Sequence, residues 1–574
     1  MANNKNSKKV QSLIQLGLFV GIVVFLNILA NVRIGGKSWY TYLDMTEEKR
    51  FTLTDGTKTL LSNLDDVVYV NVLLEGEFPA GFKRLQTATR DMLEDFRSES
   101  GYLEYGFQDT NEGSVEQINQ LRENLSKDNI IPINLRVKTK EGTSERQIYP
   151  YAIFYYKGRN MAINLLENEV PGVPSEVILN NSIGLLEYKF ANAIQKLQTP
   201  QKPVVVFSTG HGELSPIETA DLEKSLRLFY DTGRIDLDSV PTLKQDADVF
   251  VIAKPTQPFT EKDKFKIDQY IMNGGKVLWL LDKVRVDLDS LQKRNEFYPT
   301  GYDLNIDDLL FRYGARINPT LVLDMQCTRI PLATGFVGNQ PQLDYFRYPY
   351  HIVASPRSKH PIVKNLGPIN LLYPNNIDTI QTKTPVEKTV LITSSPNSRY
   401  QRIPIGMDFE FLRYDLDASK FDKGPQNLAV LLEGTFPSFY ENRVEESMLN
   451  ALEQIGTPFQ TQSPSNRMII VADGDIAKNR YHPRTQEVSP LGYNEFEKYQ
   501  FANKEFLTNA IEYLMDENGV IEARGKEVKL RLLDTVKAQA EETKWQLINI
   551  VAPILFLILF GLGYNYLRRR RFAR

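Results

Sequence analysis

Apolar residues recur along this chain at two periods, and the switches between them mark out most of its elements. Short β-branched runs read as strands, and apolar positions three or four apart read as helices. Val67 to Leu74 (VVYVNVLL), Tyr102 to Phe107, Ile133 to Val137, Tyr151 to Tyr156 and Asn160 to Ile163 are the first strands. Phe82 to Phe96 has helical spacing through Leu85, Met92 and Phe96, and Val115 to Leu125 has it through Ile118, Leu121 and Leu125. Ile178 to Leu197 returns to helix, with Ile183, Leu186, Phe190, Ile194 and Leu197 on one face. Upstream, residues 44–60 are polar and offer helix-start chemistry at Thr52 or Thr54. The order βαβαβββα predicts a thioredoxin-like α/β domain over 44–199. That region has no cysteine, which excludes thioredoxin-type redox chemistry.

Pro200 and Pro203 in TPQKP mark a boundary, and a second α/β unit follows over 200–516. Val204 to Phe207 (VVVF) reads as a buried parallel strand, followed by a helix through Leu222, Leu226, Phe229 and Tyr230. Asp248 to Ala253 is a strand, Thr260 caps a helix running to Met272, and Lys276 to Asp282 (KVLWLLD) is a strand. Ile306 to Tyr313 adds a helix. This alternation predicts a doubly wound, flavodoxin-like parallel sheet. From about 320 to 440 helical spacing fades, and short apolar runs (Thr389 to Ile392, Leu428 to Leu432) predict a β-rich insertion. The α/β pattern then resumes with a helix through Val444, Met448, Leu449 and Leu452, the strand Met468 to Ala472, and the helix Phe506 to Met515. Residues 517–544, charged and helix-favouring, read as a stalk.

Both ends of the chain carry long uncharged apolar runs. Near the C-terminus, WQLINIVAPILFLILFGLGYNY is followed by Arg568, Arg569, Arg570 and Arg571. About twenty apolar residues in a helix cross the roughly 30 Å hydrocarbon core. Pro553 is better tolerated there than in a soluble helix. Trp545 and Tyr564 suit the two interfaces, and the arginine run places its end in the cytoplasm. The expected segments are a span at 545–567 and a basic cytoplasmic tail at 568–574. At the N-terminus, Lys5, Lys8 and Lys9 precede the apolar run Leu13 to Val32, which predicts a cytoplasmic 1–9 and a span at 10–32. A cleaved signal peptide would show a shorter apolar core and a small-residue cleavage site, so an uncleaved anchor is the expectation.

This layout puts residues 33–544 outside the cytoplasm. Eight of the 68 basic residues lie before the first span or after the second, whereas all 71 acidic residues lie between the spans. The exported part is therefore acidic, which argues against a nucleic-acid partner. Cys327 is the only cysteine, so no intrachain disulfide forms.

Candidate chemistry concentrates at strand ends. Ser208-Thr209-Gly210-His211-Gly212-Glu213 follows a parallel strand, where doubly wound sheets bind ligands. His211 and Glu213 have the chemistry of a base or a metal ligand. A metal site needs three or four ligands, however, and none of the four histidines has a partner at i+3 or i+4. A tight turn with His and Glu bonding local backbone is the simpler reading. Asp473-Gly474-Asp475 is a second such loop, read chiefly as a turn in which Asp bonds its own backbone. Asp282 ends KVLWLLD on the same edge. His211, Glu213, Asp282, Asp473 and Asp475 are thus the candidate ligand-binding residues, with no catalytic set, metal or cofactor expected. Gly274-Gly275-Lys276 is no phosphate loop: it lacks the earlier glycine, and a strand rather than a helix follows.

The set FSTGHGE, DQYIMNGGKVLWLLD, EGTFPSFY (433–440), MIIVADGDIA (468–477) and FANKEFLTNAIEYL, between two terminal spans, resembles the gliding-motility-associated ABC transporter component of the GldG type. Residues 200–516 are similar to its ABC-transporter auxiliary domain, which is related to an intraflagellar-transport-like domain. The resemblance implies a non-catalytic subunit in the bacterial inner membrane with a periplasmic body. It also implies a multi-span permease as partner and, through it, a cytoplasmic ATPase. No ATP-binding motif is found in the chain, in keeping with energy supplied by a partner. Membrane lipid surrounds the spans, and a periplasmic protein or glycan and a homodimer stay open as further partners. Two other classes also stay open: a periplasmic ligand- or glycan-binding protein, and a membrane-anchored hydrolase using His211, Glu213 and Asp473.

Overall fold

The computed structural model describes residues 14–27, 33–34, 37–38, 52–128, 130–139, 142–167, 174–243, 247–286, 291, 296–338, 340–454, 458–526, 537 and 541–572. It divides into two units, residues 1–527 and residues 528–574.

The first part of the larger unit is built on a four-stranded sheet of β1 (Val68–Val72), β2 (Leu103–Phe107), β3 (Tyr151–Tyr156) and β4 (Arg159–Asn164), in the order β2-β1-β3-β4. β1 and β2 run parallel, joined through helix α1 (Ala80–Glu99), and β3 and β4 are antiparallel to their neighbours. α1 buries Leu85, Thr89, Leu93 and Phe96, a stripe at helical spacing. Helix α2 (Leu186–Gln198) sets Phe190 against Phe154 at 5.4 Å and Phe96 at 5.9 Å, between ring centroids. The helix expected over Ile178 to Leu197 is broken at Leu185 into Ser175–Gly184 and α2. Thr54 caps the helix Asp55–Ser62 by accepting from the Thr57 amide.

The main sheet has seven strands: β5 (Val204–Thr209), β6 (Asp231–Asp236), β7 (Val249–Ala253), β8 (Lys276–Leu280), β9 (Val386–Thr393), β10 (Asn427–Pro437) and β11 (Gln462–Val471). Their order is β6-β5-β7-β8-β11-β10-β9. The first five are parallel, and β10 and β9 add antiparallel strands at one side. Every residue of β7 is buried, as expected for a strand covered on both faces. Val249 and Val251 face a core shared with helices α3 (Ala220–Leu226) and α6 (Asn503–Met515), while Phe250 and Ile252 face one shared with α4 (Glu261–Met272) and α5 (Asp307–Tyr313).

Three further features depart from the sequence expectations. The helix expected to reach Tyr230 ends at Leu226, and DTGRID, too polar to signal a strand, forms the edge strand β6. The stretch 320–440 supplies β9 and β10 to the main sheet, beside a long hairpin of Cys327–Val337 and Gln340–Ala354. The helix expected from Val444 begins at Glu446.

Residues 520–525 form a 3₁₀ turn whose Val520 joins the core of the first sheet, and Lys526 pairs with Glu187 of α2. Most of the remaining expected stalk, and residues 1–9, lie outside the described residues. Of the expected first span, residues 14–27 form an exposed apolar helix. In the smaller unit, helix α7 (Glu542–Phe572) is exposed throughout its described apolar side chains and is long and apolar enough to cross a membrane.

Candidate functional site

The loop after β5 turns on two glycines that no other residue replaces easily. Gly210 has φ +108° and Gly212 φ +72°. A Cβ on Gly212 would stand 2.2 Å from Thr256 Oγ1, and one on Gly210 would stand 2.7 Å from Asp236 Oδ1. The turn is sewn to the loop after β7, because the His211 carbonyl accepts from the amides of Thr256 and Gln257, both at 2.9 Å.

His211 is buried and stacks on Phe259, with ring centroids 4.1 Å apart. Its amide donates to Glu213 Oε2 at 2.7 Å. The imidazole lies between two carboxylates: Nε2 is 3.3 Å from Asp263 Oδ2, and Nδ1 is 3.7 Å from Glu213 Oε1. Asp263 sits in the first turn of α4, where it accepts from the Thr260 hydroxyl at 2.5 Å and pairs with Lys266 at 3.2 Å. Burial works against a charged ring, but the two carboxylates outweigh it and raise the His211 pKa. Burial likewise opposes ionisation of Glu213 and Asp263, and their partners more than offset it, so both are held below the usual carboxylate range. The arrangement is a carboxylate–imidazole–carboxylate bridge between the loop after β5 and α4.

The second cluster gathers at the ends of the three central strands. Lys254 leaves β7 with φ +54°, and its ammonium lies 2.5 Å from Asp475 and 3.3 Å from Asp282. Asp282 Oδ1 accepts from the Gly474 amide at 2.6 Å. Asp473 accepts from the Leu372 amide at 2.7 Å and from the Asp475 amide at 2.8 Å, the turn that the Asp-Gly-Asp motif predicts. Gly474 is the close approach here: a Cβ would fall 2.7 Å from Lys254 Cβ. Burial raises Asp282 to about 6 against the pull of Lys254. Asp473 is likewise raised well above the usual carboxylate range by burial and by the charges of Asp282 and Asp475.

The five predicted residues therefore fall into two groups. His211 and Glu213 meet Asp263, whereas Asp282, Asp473 and Asp475 meet around Lys254. No side-chain hydrogen bond or ion pair among the described residues joins the groups. The cation position between the aspartates is filled by the chain's own lysine. Asp263 and Lys254 carried no motif; their only sequence signal was position, one at a helix start and one just past a strand. Of the five, Asp475 alone lines either of two cavities, a recess of about 70 Å³ beside the strand ends. The other, of about 810 Å³, opens at the opposite edge, lined by Pro203, Asp248 and Lys276 at the strand starts and by Lys196, Glu512 and Asp516.

Across its full length the chain is 21% identical over 570 residues to an uncharacterized protein of Borreliella burgdorferi, covering 97% of this chain and 98% of that one. Among solved structures it is similar to the mmIFT52 N-terminal domain at 12% identity and a TM-score of 0.30, over 54% of this chain and 96% of that one. Residues 47–155 match a domain of unknown function (DUF7088). Residues 202–510, more than half of the chain, match the model of the family described as an ABC-type uncharacterized transport system, and the chain belongs to that family.

Proposed function

We propose that the chain is a non-catalytic, membrane-anchored subunit of an ABC transport complex of the gliding-motility-associated GldG type. The family gives it an accessory role in an ABC transport system, and α7 gives it an apolar helix suited to membrane association. In this reading the protein is a two-pass subunit with both termini in the cytoplasm and its body in the periplasm. A multi-span permease contacts its spans, and a cytoplasmic ATPase acts through that permease. ATP-driven motion passes through the spans to the exported domains, which hold a partner or substrate. The first sheet is read as thioredoxin-like, supported by its order β2-β1-β3-β4 with one parallel pair. The five parallel strands are read as flavodoxin-like, supported by the order β6-β5-β7-β8-β11.

The family match over residues 202–510 carries the proposal. It is supported by the two strand-edge clusters, whose charged groups pair with one another. A Cβ on either Gly561 or Gly563 would meet nothing within 4 Å, and small residues at these positions of α7 allow a partner helix to approach closely. The test is a detergent pull-down of the full chain from its native membrane, followed by identification of partners and an ATPase assay. A permease and an ATPase should accompany the chain, and deletion of 545–574 with the first apolar helix retained should release the permease. Recovery of the chain without either partner, or of the permease with the deleted chain, overturns the proposal.

A further inference from the structure

We propose that the 70 Å³ recess beside the strand ends binds a small oxyanion, a phosphate or carboxylate group, through His351, Arg329, Lys478 and Arg480. The recess lies between the hairpin 327–354, the strand Ile369–Leu372 and the loops that follow β11. All four side chains line it, together with Asn370 and Asp475. Its volume suits a group the size of a few waters.

His351 is the anchor. It pairs with Leu372 across the sheet and is only 6% exposed. Its ring is held edge-on by Tyr348 at 4.8 Å and Tyr373 at 5.0 Å. Its Nε2 is buried and has no hydrogen-bond partner among the described residues. An orphaned buried polar atom is uncommon because it forfeits its hydration. Burial, helped by the nearby Arg480 charge, lowers the His351 pKa to about 3, so the ring is neutral and one nitrogen carries a proton to donate. In the tautomer that protonates Nε2, an oxyanion in the recess accepts that N–H in a hydrogen bond and satisfies the orphaned atom.

The cations come from two distant segments. The Arg329 side chain has no ion pair or hydrogen bond among the described residues. Lys478 reaches Glu218 at 3.4 Å, and its side chain is 42% exposed. Arg480 pairs with Glu495 and lies over the Phe496 ring at 5.2 Å. Each pairing leaves N–H groups unused. The one lining carboxylate, Asp475, is neutralised by Lys254 at 2.5 Å. A recess with one cation unpaired among the described residues, two paired cations that keep N–H groups to spare, a neutral donor and a neutralised acid favours an anion. This inference does not depend on the transporter-subunit reading.

The test is isothermal titration calorimetry on the full-length chain in detergent at neutral pH. Sodium phosphate and sodium acetate are titrated separately, each against sodium chloride at matched ionic strength. Saturable binding of phosphate or acetate that chloride does not reproduce is the expected result. Phosphate binding points to a phosphate ester as natural ligand, and acetate binding to a carboxylate. Arg329→Gln, at an exposed position, should leave the fold intact and weaken binding about tenfold, the loss of one charge-assisted contact. His351→Leu should abolish binding. The proposal is overturned if neither anion binds beyond chloride, or if Arg329→Gln binds as tightly as the unaltered chain.

Discussion

Lys254 Nζ lies 2.5 Å from Asp475 Oδ1 and is the cation around which the ends of β7, β8 and β11 are closed. Replacing it by methionine keeps most of the stem and removes the charge. Breaking a buried pair from one side leaves the opposite charge stranded, at about 3–5 kcal/mol. Lys254→Met is expected to destabilise the full chain by that amount at pH 7 in urea denaturation, and by less at pH 4.5, where protonation relieves the aspartates. An equal loss at both pH values would contradict the assignment.

Asp282 gives the same cluster a pH signature. Its folded-state pKa is about 6 against an ordinary 3.8, raised by burial. A carboxyl raised in the folded state holds its proton more tightly there than in the unfolded chain. Its contribution to stability is thus full below about pH 4 and lost as pH climbs to about 6. Asp282→Asn cannot ionise and can still accept from the Gly474 amide. Its Tm relative to the unaltered chain should rise between pH 4 and 6.5, and a flat difference across that window would refute the raised value.

What the sequence revealed of this cluster was its position and not its membership. Gly474 and the aspartates could be read because a strand ending in Asp-Gly-Asp must turn. Lys254 could not, since a lysine after a strand is normally solvated, and the pairing depends on three strands contributed by remote segments. The parallel core was readable for a related reason: strands covered on both faces are continuous apolar runs, as VFVIA and KVLWL are. The edge strand β6 has no such run, and its backbone pairing with β5 had no side-chain signal. At 208–213 the glycines foretold the turn, but Asp263, which closes the bridge on His211, lies 52 residues away on α4.

The bridge at His211 makes a prediction of opposite sign in pH. Its pKa is raised by Glu213 and Asp263. Stability from a raised histidine is full below its unfolded value near 6.5 and is lost as pH rises through the folded one. His211→Gln removes that dependence and leaves the buried Glu213 without its cation, whereas Asp263 keeps Lys266; the cost is about 3–5 kcal/mol at pH 6. Urea midpoints of the two proteins should draw together as pH rises from 6 to 9. Parallel curves would show that the ring is neutral in the folded chain.

The turn itself is testable through Gly212. Alanine there must adopt φ +72° and set its methyl 2.2 Å from Thr256 Oγ1. The left-handed conformation alone costs on the order of 1–2 kcal/mol for a non-glycine residue, and the clash adds to it. Because the clash belongs to a hydroxyl that also donates to the Gly212 carbonyl, Thr256→Ala should recover part of the loss. In a double-mutant cycle of thermal midpoints, Gly212→Ala with Thr256→Ala should be milder than the sum of the single changes. Strict additivity would mean the loop relaxes away from Thr256.

Asp268 joins three elements of the main domain and was not distinguishable in the sequence from any polar helix residue. It is fully buried on α4 and accepts from Tyr313 of α5 at 2.8 Å, from the Ser438 hydroxyl at 2.7 Å and from the Phe439 amide at 2.8 Å, both just past β10. Burial raises its pKa in spite of these donors. Asp268→Ala would leave Tyr313, Ser438 and Phe439 without this acceptor at about 1–3 kcal/mol apiece, enough to lower the denaturation midpoint of this domain severely. It would also take one acceptor from the Gln269 side-chain amide, which keeps the Gln460 carbonyl. Asp268→Asn should cost much less. Its remaining oxygen can keep Tyr313 and Phe439, and its amide can donate to the Ser438 hydroxyl, which has a lone pair to accept it. Trp279, buried in β8, reports on the same core by its fluorescence. The expected order of urea midpoints is unaltered chain, then Asn, then Ala far below. If Asn falls as far as Ala, the charge of Asp268 matters more than its acceptor geometry, and the three contacts are not what holds α4 to β10.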